Sequence, residues 1–284
     1  IYGFRNNPTL TTKNDWLFFN PKFGITYSRN DWRTYASLAV ANKEPNRDDF
    51  EAGKTQQPVP ERLYDTELGI EHIKNRYNWS ATFYYLRYKQ QLLLTGKIND
   101  VGAYTRSNIP NSYRAGIELQ GAVRCNKWFN ASANLSFSSN KIKDFKEFTD
   151  DYDNGGQKVT VYPAPTIAFS PSVVGGATLN FLPWKHTELS LLSKYVSRQY
   201  LDNTEQESRS LDAFFVQDLR VLYTFKKKKL KELNIIAQLN NIFNALYEPN
   251  GYTFSYIYGG STTTENYYFP MAGRNFMIGV NVKL

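Results

Sequence analysis

Apolar and polar residues alternate along much of the chain with a period of two. Phe276, Ile278, Val280, Val282 and Leu284 form one apolar row, with Asn275, Met277, Gly279, Asn281 and Lys283 between them. Residues at i, i+2 and i+4 share one face of a strand, so this pattern predicts a two-faced β-strand. Tyr113, Ala115, Ile117, Leu119 and Val123 repeat the pattern against Arg114, Gly116, Glu118, Gln120 and Arg124. Phe129 to Phe137 repeats it against Asn130, Ser132, Asn134 and Ser136. Phe215, Leu219, Val221, Tyr223 and Phe225 share a face, as do Leu233, Ile235, Ala237 and Leu239. Weaker rows run through Phe23–Tyr27, Tyr64–His72, Trp79–Tyr85, Val173–Phe181 and Leu189–Tyr195. Together they predict about eleven strands, several of the roughly 9–11 residues that a tilted membrane strand needs.

The connections alternate too. Short turns are expected near Arg29–Asp31, Asn75–Tyr77, Cys125–Trp128, Pro183–Lys185 and Lys226–Glu232. Long loops are expected at Glu44–Arg62, Gly96–Asn111, Lys143–Ser170, Leu201–Ala213 and Asn244–Gly273. Outer-membrane barrels place short turns at the periplasmic end and long loops outside. The fold class is therefore all-β, a transmembrane antiparallel barrel. The last strand follows a long loop, so the C-terminus is expected in the periplasm. Trp16, Trp32, Trp128 and Trp184 are candidate interfacial girdle residues.

Composition supports strands: the 284 residues include 21 Tyr and 19 Phe but only 2 Met. A mean hydropathy of −0.54 reads as water-soluble by itself. Barrel strands average to a polar sequence because one face meets lipid and the other water. No apolar run is long enough for a membrane-crossing helix. The single Cys125 excludes an internal disulfide. The net charge of +8 does not point to nucleic acid, because much of the excess sits in Lys226–Lys229 and Lys231, read as a solvated turn.

Several segments resemble the barrel of TonB-dependent outer-membrane receptors. They are Phe19–Tyr27 (FNPKFGITY), Tyr35–Pro45 (YASLAVANKEP), Glu61–Gly69 (ERLYDTELG), Asn240–Tyr247 (NNIFNALY) and Gly273–Phe276 (GRNF). Tyr200–Thr204 (YLDNT) and Arg209–Asp212 (RSLD) are similar to receptors of the Bacteroidetes type. The resemblance implies a barrel of about 22 strands around an N-terminal plug. Residues 1–284 would then be its C-terminal part, with the plug and the first barrel half absent. It further implies uptake of a large scarce nutrient, an iron chelate first, cobalamin or a glycan otherwise, coupled to TonB through the missing N-terminal part. A passive porin is the rival from another class. The implied partners are outer-membrane lipid, the nutrient, a surface lipoprotein and the barrel-assembly machinery. That machinery would read Phe276, Ile278, Val280, Val282 and Leu284, the last standing where the family usually has an aromatic residue.

Sequence motifs for catalysis, nucleotides or dinucleotides are not found. His72 and His186 are read as solvated or interfacial, and neither an enzyme nor a cofactor is expected. Asp150, Asp151 and Asp153 are weak calcium candidates, lacking the spacing of a calcium loop. Asp65, Glu67, Glu71, Arg114, Glu118 and Arg124 are expected on the lumen face. The ligand candidates are Tyr252, Phe254, Tyr256, Tyr258, Tyr267 and Tyr268 of the last long loop. Aromatic rings with hydroxyl tips suit large amphipathic ligands. The alternation of Phe254, Tyr256 and Tyr258 predicts strands continuing beyond the membrane.

Overall fold

The computed structural model describes residues 2–4, 7–51, 57–98, 104–227 and 230–283. The elements in chain order are β1 (Tyr2–Phe4), β2 (Asn7–Thr12), β3 (Lys22–Arg29), β4 (Trp32–Lys43), α1 (Arg47–Glu51), β5 (Glu61–Ile73), β6 (Tyr77–Ile98) and β7 (Tyr104–Arg124). There follow β8 (Phe129–Ile142), β9 (Phe145–Asp151), β10 (Gln157–Tyr162), β11 (Val173–Phe181), β12 (Thr187–Val196), β13 (Gln199–Tyr200) and β14 (Ser210–Leu211). The last are β15 (Phe214–Lys227), β16 (Leu230–Asn240), β17 (Asn250–Tyr258), β18 (Ser261–Phe269) and β19 (Asn275–Lys283).

Eleven strands form one sheet in the order β19-β16-β15-β12-β11-β8-β7-β6-β5-β4-β3. Each pairs antiparallel with the next wall strand in sequence, as the alternation predicts. This sheet is the barrel wall. It is open: β3 and β19 each have one edge unpaired among the described residues.

The pairing register settles the two faces. Ile25, Ala36, Leu68, Phe83, Ile117, Phe137 and Val173 are successive cross-strand partners. A second row runs through Ile278, Ala237, Val221, Leu189, Phe181 and Phe129. Both rows are apolar across the wall. The opposite face carries Arg33, Glu71, Ser80, Gln120, Asn134, Gly176 and Lys194 in one row. The expected acidic and basic residues of β5 and β7 lie on this polar face, and Glu71 pairs with Arg33 at 3.6 Å. Two glycines there are fixed by crowding. A Cβ on Gly69 would strike the ring of its partner Tyr35, and one on Gly116 would meet the Tyr84 hydroxyl.

The short turns fall where expected, although the tip between β15 and β16 at 228–229 lies outside the described residues, as do the side chains of the lysine run. Asn30 and His186 take positive φ in two of these turns. His186 serves its turn through its carbonyl, which accepts from the Thr224 amide.

The long connections differ from the expected loops. Gly96–Asn111 is not a loop over most of its length: β6 and β7 stay paired through Leu94 and Arg106. Pro110 cannot donate to a ladder. It sits where β7 has a partner only on the β6 side, since pairing with β8 begins at Ser112, and opposite Gln90, whose φ is 54°. Lys143–Ser170 contains the β9–β10 hairpin, and Asn244–Gly273 contains β17–β18. Phe254, Tyr256 and Tyr258 do lie in a strand, as expected, but β17 belongs to a separate sheet and does not continue a wall strand.

These long connections form a crown at one end of the wall, and the buried core sits there. Leu93, Ile109, Ile142, Phe145 and Ile167 form one cluster, with Tyr162 packed against it. Leu201 and Leu211 are also fully covered.

Candidate functional site: the crown sheet and the polar wall

The crown holds a four-stranded sheet in the order β10-β9-β17-β18. Its centre is a short parallel contact, Tyr256 to Asp150 and Ile257 to Asp151. One face is buried: Thr253, Ser255, Thr149 and Phe145 are all less than a tenth exposed. The other face carries a row of rings. Tyr252 stacks on Tyr267 at 4.8 Å and 7°, and Phe254 lies 6.1 Å from Tyr267 at 9°. Phe254 continues to Tyr256, and Tyr256 to Tyr152, each about 6 Å on. Phe269 extends the other end from Tyr252. Glu265 binds two of the hydroxyls, Tyr267 at 2.6 Å and Tyr256 at 3.2 Å. Those hydrogen bonds hold both phenols above their ordinary pKa, so they remain donors.

Of the six ligand candidates, Tyr252, Phe254, Tyr256 and Tyr267 are brought into this row. Tyr258 lies at the hairpin tip, 67 % exposed. Tyr268 points to the opposite face, being paired with Gly251 rather than Tyr252. Central rings use their faces on each other, so ring edges and hydroxyl tips are what the row presents outward.

The acidic candidates are spent on the chain itself. Asp151 accepts from the Asn154 side chain, which with the Asn154 and Asp153 amides holds its carboxyl below the usual range. Asp150 accepts from Gln157. Asp153 accepts from the Gly259 and Gly260 amides, both at 2.8 Å, and so clips one hairpin tip to the other. Both glycines have positive φ, which lets two successive N–H groups point at one carboxylate. Among the described residues, no group of three metal-ligating side chains forms.

Beneath this sheet lies a charged knot built partly from the YLDNT and RSLD segments. Arg209 is 5 % exposed and bonds Glu147 at 2.6 Å and Asp202 at 2.9 Å. Burial alone would lower the Arg209 pKa; Asp202 and Glu147 outweigh it and raise it. Tyr162 donates to the other Glu147 oxygen and accepts from Gln206. Burial first, then the Glu147 bond, push the Tyr162 phenol up to about 12. Asn203 reaches the Leu94 carbonyl and accepts from Ala168. Lys141 grips Glu205 at 2.8 Å. Asp202, Asn203 and Arg209 lie in the YLDNT and RSLD segments noted in the sequence, but their partners Glu147 and Leu94 are 62 and 109 positions away from Arg209 and Asn203.

Below the crown, the polar wall face bounds a cavity of about 1280 Å³. Glu71, Gln120, Asn134, Lys194, Asp218 and Asn241 line it. Asn241 has φ 51° and is 3 % exposed; its side chain closes a turn on Ala245, while its amide donates to Asp218. Asn244, at φ 54°, accepts from the Arg274 amide and so joins the NNIFN turn to β19. Asparagine tolerates this backbone region better than most residues, which explains the segment locally.

The row Phe276, Ile278, Val280 and Val282 lies on the apolar wall face, 78 to 51 % exposed; Leu284 lies outside the described residues. At the short-turn end, Trp32, Trp128 and Trp184 stand exposed, as a girdle requires. Trp16 precedes β3 at the opposite end. Of the two settings expected for His72, solvated or interfacial, the structure excludes the first: it is 7 % exposed among the short-turn aromatics, with Trp32 at 4.2 Å, Tyr77 at 5.5 Å and Trp79 at 6.2 Å. Aromatic neighbours on the two adjoining strands cover it.

Comparison with known proteins agrees with this architecture. No curated protein matches the chain. Among solved structures, the siderophore receptor PiuA from Acinetobacter baumannii superposes with a TM-score of 0.68 at 17 % identity, covering 92 % of this chain and 35 % of that one. The copper transporter OprC gives 0.65 at 16 %, covering 91 % and 39 %. The ferric enterobactin receptor PfeA from Pseudomonas aeruginosa gives 0.61 at 15 %, covering 92 % and 40 %. The chain therefore spans well under half the length of these structures. A family model described as TonB dependent receptor-like, beta-barrel matches residues 2–242. With its apolar outer face, polar inner face and meander of paired strands, the chain belongs to the TonB-dependent receptor β-barrel family, whose members are outer-membrane receptors and transporters rather than enzymes.

Proposed function

We propose that the chain is the C-terminal half of a receptor barrel that imports a large scarce nutrient across the outer membrane, driven by TonB. One observation carries the reading: a polar wall face with a cavity of about 1280 Å³ lies beneath the crown. A ligand captured at the crown has a hydrated path along Glu71, Asn134, Lys194 and Asp218. The open edges of β3 and β19 support further strands on both sides, because an unpaired edge in lipid costs several kcal/mol for each unsatisfied group, roughly. A first barrel half, closing a wall of about 22 strands around a plug, supplies them.

The short turns then face the periplasm and the crown faces the medium, with the C-terminus periplasmic. An iron chelate is the preferred cargo; the names of PiuA and PfeA support it, and OprC marks copper as the neighbouring chemistry. The Tyr200–Thr204 and Arg209–Asp212 segments support the Bacteroidetes type, for which a surface lipoprotein is a fitting partner. The alternating β19 suits recognition by the barrel-assembly machinery.

Replacing Asn250–Phe269 by a short turn in the full-length receptor tests the reading. Uptake of the ferric chelate should fall at least tenfold, the loss expected when an aromatic binding patch goes, while the barrel stays inserted. Unchanged uptake would remove the hairpin from the site. Orientation has a separate test. With other cysteines removed, a membrane-impermeant maleimide should label Asn154→Cys in intact cells. Cys125, exposed in a short turn, should react only after the outer membrane is permeabilised.

A further inference from the structure

The outer face of the wall changes character sharply at the crown end of β5 and β6. Leu38, Thr66, Tyr85 and Ala115 form the last weakly polar row. The next row on the same face is Val40, Tyr64, Arg87, Tyr113 and Lys141. The row beyond it is Asn42, Arg62, Lys89 and Asn111. Tyr85 stacks on Tyr113 at 6.0 Å, so tyrosines mark the rim of the apolar belt, where interfacial aromatics stand. Three cations follow immediately beyond it.

Arg62 and Lys89 are direct cross-strand partners. Side chains so placed start about 5 Å apart, and like charges directly opposite destabilise a sheet. Arg87 is two residues from Lys89 on the same face. All three side chains are exposed. The ion pairs among the described residues do not include them. Arg62 donates to the neutral Asn42 at 2.8 Å, and the Lys89 ammonium stands 6.0 Å from the Tyr64 ring centre. Lys141, in the same row as Arg87, is answered by Glu205. The contrast isolates Arg62, Arg87 and Lys89 as a triangle of positive charge with no ion-pair partner among the described residues.

We propose that this triangle binds the phosphate of an anionic lipid headgroup in the extracellular leaflet, the phosphorylated glycolipid of the outer membrane being the occupant. The acyl chains lie along Leu38, Phe83 and Ile117 of the apolar face, and the phosphate meets the cations just past the tyrosine rim. Arginine forks match phosphate oxygens two at a time, and the lysine adds a point charge. The site rests on the membrane orientation proposed above, which the maleimide labelling tests independently.

The full-length receptor, placed in zwitterionic vesicles doped with diphosphorylated lipid A, tests the proposal by native mass spectrometry of retained lipid. The wild type should retain lipid A and release its dephosphorylated form. The Arg62→Gln/Arg87→Gln/Lys89→Gln variant should bind roughly a hundredfold more weakly, about fivefold for each cation removed. Lys89→Gln alone, expected to lose about fivefold, serves if the triple variant does not reach its heat-modifiable folded form. Equal retention by the variants, equal retention of the dephosphorylated lipid, or equivalent capture of inorganic phosphate without lipid would each overturn the proposal.

Discussion

The wall and the crown are built from the same alternating strands, yet they bury opposite things. In the wall, Phe23, Ile25, Phe83, Ile117 and Ile278 stand 44 to 68 % exposed, in rows that continue from strand to strand. In the crown, Ile142, Ile167, Leu201 and Leu211 are at most 1 % exposed. Surrounding solvent explains the difference. Lipid satisfies an apolar face, so the wall needs hydrogen-bonded ladders but no core of its own. The crown stands in water and must enclose apolar side chains as a soluble domain does, at roughly 25 cal/mol for each Å² removed from water. Exposed apolar residues therefore mean opposite things in the two regions.

The largest test of this contrast removes the centre of the crown. Arg209→Ala leaves Glu147 and Asp202 facing each other in a buried site. Breaking one side of a buried ion pair costs about 3–5 kcal/mol. The crown should lose hydrogen-exchange protection at β9 and β17, while amides of β6 to β8 within the wall stay protected. Loss of protection in both regions together would show that crown and wall fold as one unit. The reciprocal test places charge on the lipid face. Ile278→Arg or Val280→Arg should cost about 2–4 kcal/mol near the membrane midplane and deplete the inserted barrel. Asn281→Arg, on the polar face, should be tolerated. Equal tolerance would dissolve the assignment of faces.

Legibility in the sequence follows the same division. The wall was readable because each residue's environment is set by parity, and parity is local. Eleven strands, the short turns and both faces follow from it. Pro110 and Gly96 break the local signal, so the upper reaches of β6 and β7 carry no strand pattern in the sequence. The crown was not readable because its contacts join distant residues. Arg209 and Glu147 are 62 positions apart, and Asn203 and Leu94 are 109 apart. The aromatic candidates show both cases at once. Their clustering was visible in composition, whereas the opposite facing of Tyr267 and Tyr268 depends on the pairing of β17 with β18. His72 shows the same division: its place on an apolar row beside a short turn is local, whereas its cover by Trp32 and Trp79 depends on pairing with both neighbouring strands.

The smallest effect tests whether the crown's outer ties behave as water-exposed bonds should. Glu205 is partly buried, which by itself would raise its pKa, but bonds from Lys141 and from the Thr166 amide outweigh burial and lower it. A carboxylate whose folded pKa is depressed contributes stability above its unfolded value, and loses it as the pH falls through the folded value. Acidification below the usual carboxylate range should therefore release the 201–211 segment before it disturbs the wall. The loss should be modest, about 1 kcal/mol or less, because both side chains are about a third exposed and solvent screens the pair. Limited proteolysis of the crown between neutral and acid pH measures it. Glu205→Gln should cleave at the fast, acid-type rate at every pH. A wild-type crown that resists protease equally at both pH values would place its stability entirely in the Arg209 knot and the apolar cluster beneath it.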